Sequence, residues 1–153
     1  MAEVTASTRI AAPVERVWAL MTDSTRYAEW SDPTERVIDP GVGEMRQGFE
    51  YREFGGIPPF KSESLCTVTE YQPVQRMVHV SDDGKMKIHL EIVLDAGDGG
   101  TQLRLTIRPE PRWFLVLPNL VLWPLLMHRR AQEVMDKTIA NAKRELEAAG
   151  GAG

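Results

Sequence analysis

The side chains that could do metal, nucleophilic or acid–base chemistry are few and scattered along this sequence. The three histidines, His79, His89 and His128, show neither the i, i+4 spacing of a helical metal pair nor a Cys-x-x-Cys companion. Cys66 is the single cysteine, and the sequence shows no partner that would activate its thiol. Most Asp and Glu residues fall in turns or at polar strand positions. The sequence therefore predicts no metal, no cofactor and no cysteine nucleophile.

The orientation of His79 depends on the hairpin that follows it. A three-residue loop keeps Val78 and Val80 inside and turns His79 outward. A two-residue loop at Asp83-Gly84 turns His79 inward and exposes both valines. We favour the three-residue loop because it agrees with the apolar pattern, and an inward His79 stays open as the alternative with the larger functional consequence.

Gln47 and Tyr51 are the other polar candidates. The alternation of residues 44–53 predicts a strand that places both side chains on one face with Met45 and Phe49. A buried glutamine needs a hydrogen-bond partner, which a polar group of a ligand or an ordered water would supply. The weak catalytic candidates are therefore Tyr51, Gln47 and an inward His79.

The elements that must position these side chains are a sheet and one long helix. Residues 3–10 have the period of a strand with one buried face, and Pro13 opens the first of two short helices that end near Trp30. From Val37 to Pro109 the pattern is strand and turn, with connections short enough for antiparallel neighbours. The predicted strands are 3–10, 37–38, 44–53, 60–71, 76–81, 85–95 and 101–108, and the predicted last helix is 119–148 with a kink at Pro124.

A sheet with one apolar face has to bury that face, and only the last helix is long enough to cover it. The sequence thus predicts an α+β fold, in which a curved antiparallel sheet of about seven strands wraps around a long C-terminal helix. Two short helices lie between the first and second strands. We expect a single ligand-binding domain over residues 1–148 and a flexible tail over residues 149–153.

Large and small side chains meet at the predicted interface between sheet and helix, which favours a hollow interior. Ser62, Ser64 and Cys66 are small residues on one face of a strand, and aromatic residues would line the space that they leave. We expect a small hydrophobic molecule there. The predicted lining residues are Tyr27, Trp30, Met45, Gln47, Phe49, Tyr51, Phe60, Ser64, Cys66, Met86, Ile88, Leu90, Leu105, Trp113, Leu120, Trp123 and Met127.

Residues 10–23 (IAAPVERVWALMTD), followed by Tyr27 and Trp30, closely resemble the polyketide cyclase/dehydrase and lipid-transport family of the Bet v 1-like (SRPBCC, START-like) superfamily. Residues 68–73 (VTEYQP) and 142–147 (AKRELE) resemble it too, so the resemblance covers nearly the whole chain. It implies a helix-grip fold. The family includes ring cyclases, lipid and quinone carriers, hormone-binding proteins and co-chaperone domains.

Three functions are therefore open at this point. The first is a carrier or sequestering protein for a lipid-, isoprenoid- or polyketide-like molecule, and the absence of an acid–base constellation motivates it. The second is an aromatase/cyclase-type enzyme that acts on a polyketide chain in the same cavity. The third is a co-chaperone-like module that binds a protein partner, which a filled interior would favour.

Charge and composition narrow the range of partners and the location. The 153 residues are 42% hydrophobic and carry 18 basic and 22 acidic side chains, a net charge of −4, so no basic face for nucleic acid is expected. The apolar run 113–127 is shorter than the ~20 residues that cross a bilayer, so we expect no stable membrane insertion. Transient membrane contact remains open, because Arg112 and residues 128–130 could bind a headgroup, although a solvated face is favoured. A cytoplasmic monomer or homodimer is expected, since the first residues lack signal-peptide features.

Overall fold

The chain runs from one strand through short helices into six further strands and ends in a long helix. In this computed structural model the described residues are 3–112, 117 and 127–151. The helices are α1 (Val14–Met21), α2 (Tyr27–Trp30) and α3 (His128–Gly151), with a 3-10 helix over Ser24–Arg26 before α2. The strands are β1 (Val4–Ile10), β2 (Thr34–Asp39), β3 (Glu50–Ile57), β4 (Phe60–Gln72), β5 (Arg76–Asp82), β6 (Met86–Gly97) and β7 (Gly100–Pro111).

The seven strands form one antiparallel, curved sheet in the order β1-β7-β6-β5-β4-β3-β2. From β2 to β7 each strand pairs with the next one along the chain, and β1 joins the sheet beside β7. One face of the sheet is apolar, and its side chains form a single buried cluster with side chains from all three helices. This arrangement confirms the predicted helix-grip architecture. Its physical basis is that the strands have one apolar face and that only the last helix is long enough to cover it.

The short helix α2 is held where the long helix passes it. The backbone carbonyl of Trp30 accepts a hydrogen bond from Asn141 Nδ2 at 3.2 Å, and the backbone N–H of Asp32 donates to Thr138 Oγ1 at 3.0 Å. Asn141 and Thr138 lie nearly one turn apart on α3, so together they fix the end of α2 and the residues after it against one face of α3. Tyr27 and Trp30 are thereby placed against the interior, where both are buried.

The predicted strand over 44–53 is wrong in its first half. Residues 44–49 form a loop with a turn at Gln47, and β3 begins only at Glu50. Gly48 has φ +88°, a conformation that glycine adopts without strain, and its N–H donates to the carbonyl of Val68 at 2.7 Å. The turn breaks the alternation on which the prediction rested, so Gln47 is exposed instead of facing the interior.

The β5–β6 hairpin has neither of the two loops considered from the sequence. Asp82 lies opposite Lys87, so four residues, 83–86, separate these paired positions. In this register His79 pairs with Leu90. The carboxylate of Asp83 accepts from the backbone N–H groups of Lys85 and Met86 at 2.8 and 2.9 Å, and these bonds hold the longer loop. The register therefore turns His79 inward, and the outward orientation that we favoured is wrong.

The last helix extends beyond its predicted end. It continues to Gly151, so residues 149–151 are helical where a flexible tail was predicted. The predicted kink at Pro124 and the predicted lining residues Trp113, Leu120 and Trp123 lie outside the described residues. Among the described helices, none has the length and apolarity that a membrane span requires.

Candidate functional site

An internal cavity of about 120 Å³ lies between the sheet and α3. Six adjacent strands, β2 to β7, contribute side chains to it, and α2, the segment between α2 and β2, and α3 contribute the rest. A cavity of ~150 Å³ with an apolar lining is known to admit benzene, so the space here suits a guest of about one ring. The lining residues are Tyr27, Trp30, Ser31, Pro33, Thr34, Tyr51, Glu53, Ile57, Cys66, His79, Ser81, Ile88, Leu90, Ile92, Leu105, Ile107, Val134, Met135 and Thr138.

The structure brings part of the predicted lining together at this cavity. Those that line it are Tyr27, Trp30, Tyr51, Cys66, Ile88, Leu90 and Leu105, joined by His79 from the catalytic candidates. Met45, Phe49 and Met127 are buried in the core but do not line it. Ser64 and Met86 are half-buried outside the lining, Gln47 is exposed in its turn, and Phe60 is 56% exposed at the start of β4.

Tyr51 and His79 form a hydrogen-bonded pair at the cavity wall. The Tyr51 hydroxyl lies 2.9 Å from His79 Nδ1, and His79 Nε2 lies 3.3 Å from Met77 Sδ. Burial lowers the pKa of His79 to about 4, so the imidazole is neutral at pH 7. The contacts then suit one tautomer, in which Tyr51 donates to Nδ1 and the Nε2 hydrogen points toward the sulfur of Met77.

The carboxyl of Glu53 lies on the same face of β3 as Tyr51, two residues farther along. Thr34 Oγ1 donates to Glu53 Oε2 at 3.0 Å and also lies 3.0 Å from Ser31 Oγ. No Lys or Arg in the described part of the chain forms an ion pair with this carboxyl. Burial raises the pKa of Glu53, and hydrogen bonds from Thr34 and Cys66 oppose the rise only in part.

Cys66 lies on β4, where it pairs with Tyr51 on β3 and with Ser81 on β5. Its side chain is buried, and burial together with the neighbouring Glu53 carboxyl raises the pKa of the thiol to about 12. A thiol with this pKa is protonated at neutral pH and is a weak nucleophile. Cys66 thus acts at this wall as a small apolar side chain with a weak donor.

Aromatic rings stack edge to face along the side of the cavity below α2. The Tyr27 ring centroid lies 5.7 Å from that of Trp30 and 5.4 Å from that of Tyr51, and the Tyr27 hydroxyl donates to the carbonyl of Met21 at 2.5 Å. Trp30 Nε1 is buried, and within the described residues it has no hydrogen-bond partner. This wall therefore offers an unused donor beside the aromatic surface.

Sequence reasoning missed two kinds of lining residue. Glu53 was assigned to solvent by its residue type, although its i+2 spacing from Tyr51 places the two on one face. The same parity extends the predicted set from Leu90 to Ile92 and from Leu105 to Ile107. The other missed residues come from the segment after α2, from single strand positions or from α3, and they are Ser31, Pro33, Thr34, Ile57, Ser81, Val134, Met135 and Thr138.

The polar groups of the cavity suit hydrogen bonding to a guest better than they suit metal ligation. Over the ranges that the structure describes, no group of three or more His, Cys, Asp and Glu side chains is arranged to hold a metal ion. What the lining combines is a broad aliphatic and aromatic surface with a neutral Tyr51–His79 pair and the carboxyl of Glu53.

Comparisons with known proteins agree with this fold. A family model described as "Polyketide cyclase / dehydrase and lipid transport" matches residues 1–147. A solved structure of a Thermus thermophilus protein superposes with a TM-score of 0.77 at 21% identity, covering 97% of this chain and 99% of that one.

Two further solved structures superpose on nearly the whole chain. A START superfamily protein from Mycobacterium smegmatis gives a TM-score of 0.73 at 13% identity, covering 96% of this chain and 98% of that one. The Zhui aromatase/cyclase from a Streptomyces species gives a TM-score of 0.71 at 19% identity, covering 97% and 98%. A comparison with curated proteins gave no match.

Proposed function

Because the chain belongs to the polyketide cyclase/dehydrase and lipid-transport family, we propose that it binds a small, mainly apolar molecule in its cavity, which it carries or sequesters. The observation that carries the proposal is a cavity of about 120 Å³ with a mostly aliphatic and aromatic lining. Pockets of this composition bind ligands by removing apolar surface from water, and a few polar groups fix the orientation.

Ligand binding in this cavity is also expected to stabilise the folded protein. A guest removes the apolar lining from water and contacts the side chains around it. Because the unfolded chain has no such site, the free energy of unfolding should rise as the ligand concentration rises above Kd.

Filling the cavity with a side chain is expected to abolish binding. Val134 lies on α3 and lines the cavity, so Val134→Phe places a ring where the ligand would lie. Affinity for any ligand retained from a lipid and polyketide extract should fall by roughly tenfold or more, because the bound molecule and the new ring compete for one volume. Native mass spectrometry identifies the ligand, and isothermal titration calorimetry measures the change.

Ala140→Phe is the matched control, since Ala140 is exposed on the same helix. It adds the same ring outside the cavity and should leave affinity unchanged. Equal affinities for Val134→Phe and the unaltered protein would place the ligand elsewhere and defeat the proposal, as would an extract from which the protein retains nothing.

A second candidate function is favoured by the Tyr51–His79 contact. The carrier hypothesis was motivated by the lack of an acid–base constellation, yet a neutral imidazole and a phenol lie 2.9 Å apart at the cavity wall. The Tyr51 hydroxyl can turn from His79 Nδ1 and donate to a carbonyl oxygen of a bound β-keto chain, which stabilises the negative charge that develops on that oxygen during enolisation. The structural similarity to an aromatase/cyclase supports this chemistry.

Tyr51→Phe separates the enzyme from the carrier. If the protein turns over a poly-β-keto substrate, the variant should lower turnover by roughly tenfold or more, because a positioned acid–base group contributes at least that much. Ligand affinity should change little, since the ring is kept. Liquid chromatography with mass spectrometry follows the product, and Tyr71→Phe, which alters a tyrosine packed on Trp18 away from the cavity, is the control.

Unaltered turnover in Tyr51→Phe would rule out a catalytic role for the Tyr51 hydroxyl. No turnover by the unaltered protein of any poly-β-keto chain that it binds would leave the carrier function alone. The co-chaperone-like alternative was tied to a filled interior, and the cavity between the sheet and α3 gives it no support.

A further inference from the structure

Two side chains that line the cavity have hydrogen-bonding capacity that the fold does not use. Trp30 Nε1 is a buried donor with no partner in the described part of the chain. The Glu53 carboxyl accepts hydrogen bonds from Thr34 and Cys66 and keeps further lone pairs, and no cation balances it among the described ion pairs. Native proteins rarely leave a buried donor unpaired, because its desolvation is then uncompensated.

A short chain of contacts links the residues that carry these two groups. Ser31 directly follows Trp30, Ser31 Oγ lies 3.0 Å from Thr34 Oγ1, and Thr34 Oγ1 donates to Glu53 Oε2 at 3.0 Å. Both Trp30 and Glu53 line the cavity, with aliphatic side chains from β6 and β7 making up much of the rest of its wall. We therefore expect one edge of a guest of about one ring to meet both polar groups.

The chemistry of the two groups selects among polar substituents. A carboxylate could accept from Trp30 but would set its charge beside the carboxyl of Glu53. An ammonium could pair with Glu53 but has no lone pair to accept from Trp30. A hydroxyl accepts through its oxygen and donates through its hydrogen, so it alone among these three satisfies both groups without adding a charge to the interior.

We propose that the ligand is an uncharged, single-ring molecule with a hydroxyl group, whose oxygen accepts from Trp30 Nε1 and whose hydrogen is donated to Glu53. The inference rests on the proposed function, since it specifies the class of molecule that the cavity takes. Burial, which raises the pKa of Glu53, disfavours charge beside this carboxyl and so further favours a neutral guest.

Binding of matched single-ring probes tests the hydroxyl. Isothermal titration calorimetry with para-cresol and para-xylene compares a hydroxyl with a methyl group of similar size, and we expect para-cresol to bind about tenfold more tightly. Para-toluate and para-methylbenzylamine carry an anion and a cation in the same place, and both should bind more weakly than para-cresol.

Two variants assign the preference to its residues. Trp30→Phe and Glu53→Leu should each bring the affinity for para-cresol close to that for para-xylene. The matched controls are Trp18→Phe, at a buried tryptophan outside the cavity lining, and Glu50→Leu, at an exposed position of β3, and both should keep the preference. Because either cavity variant is sufficient for the test, failure of one to fold leaves the other to decide.

Equal affinities for para-cresol and para-xylene would overturn the inference and leave the proposed function standing, because the cavity would then bind by apolar contact alone. Tighter binding of para-toluate or of the amine would overturn it in favour of a charged guest. If none of the four probes binds, the single-ring class is wrong, and the extract experiment with Val134→Phe decides the proposed function separately. Preference for para-cresol that survives in both cavity variants would place the hydroxyl elsewhere.

Discussion

Acidification from pH 7 to about pH 4 is expected to lower the free energy of unfolding by about 3 kcal/mol through His79 alone. The imidazole is buried beside Tyr51 and Met77, and burial disfavours its charged form, which lowers its pKa from 6.5 to about 4. Each pH unit between these two values corresponds to about 1.36 kcal/mol of differential protonation.

The direction of the effect follows from where the proton binds. Between pH 6.5 and about 4 the unfolded chain holds a proton on His79 and the folded protein does not, so stability falls as the pH falls. The contribution is fully present above the unfolded pKa and is lost as the pH approaches the folded one. Glu53 works in the opposite direction, because its raised pKa stabilises the fold at low pH and that contribution is lost as the pH rises.

Urea denaturation of the unaltered protein and of His79→Gln at a series of pH values between 7 and 4 isolates the histidine. The difference in unfolding free energy between the two proteins should change by about 3 kcal/mol over that range, with the contribution of Glu53 common to both. His89→Gln, on the outer face of β6, is the control. An equal pH dependence of stability in the two variants would contradict the assignment to His79.

The alternation of apolar residues predicted the sheet well wherever strand pairing alone decides the structure. β1 and β4 to β7 begin and end close to the predicted positions, although β5 is buried on both faces at Met77, Val78 and His79. The same signal failed over residues 44–49. There, Met45 and Phe49 lie in a loop that turns at Gly48, and both side chains are buried. Buried residues in a loop thus produced the same sequence alternation as a strand.

The orientation of His79 depended on a contact that no local pattern contains. Asp83 holds the β5–β6 loop through the backbone of Lys85 and Met86, and its carboxylate also accepts from Ser62 Oγ on β4 at 2.7 Å. A bond between neighbouring hairpins thus selects the register. Because one residue of register exchanges the two faces of a strand, this one loop decides whether the cavity contains an imidazole.

The cavity lining was predictable where residue type and strand parity agree, as they do for Tyr51, Cys66 and Leu105. Glu53 was missed because a carboxylate is assumed to face solvent, although its i+2 spacing from Tyr51 places it on the inward face. Ser31 reaches the cavity from the segment between α2 and β2, and Thr34 from the first position of β2, where no alternation of residue types marks either residue. Their placement depends on the contacts that hold α2 against α3.

Leu105→Ala is expected to cost about 2–4 kcal/mol of unfolding free energy, because it removes a fully buried side chain from β7 and enlarges the cavity. Leu65→Ala is the matched control, since Leu65 is half-buried on β4 outside the lining, and it should cost about 1 kcal/mol or less. Chemical denaturation measures both changes. Equal losses of unfolding free energy in the two variants would show that packing of Leu105 at the cavity wall does not contribute extra stability.

The same variant is expected to change which guest fits. Removing the Leu105 side chain beside a space of about 120 Å³ gives room for a second fused ring, so naphthol should bind Leu105→Ala about tenfold more tightly than it binds the unaltered protein. Para-cresol should lose affinity, because it leaves part of the larger space empty. Opposite shifts for the two probes, measured by calorimetry, would mean that the side chain of Leu105 sets the upper size of the ligand. If both probes kept their wild-type affinities, the binding site would have to lie away from this wall, because a ligand in contact with Leu105 would bind differently once that side chain is removed.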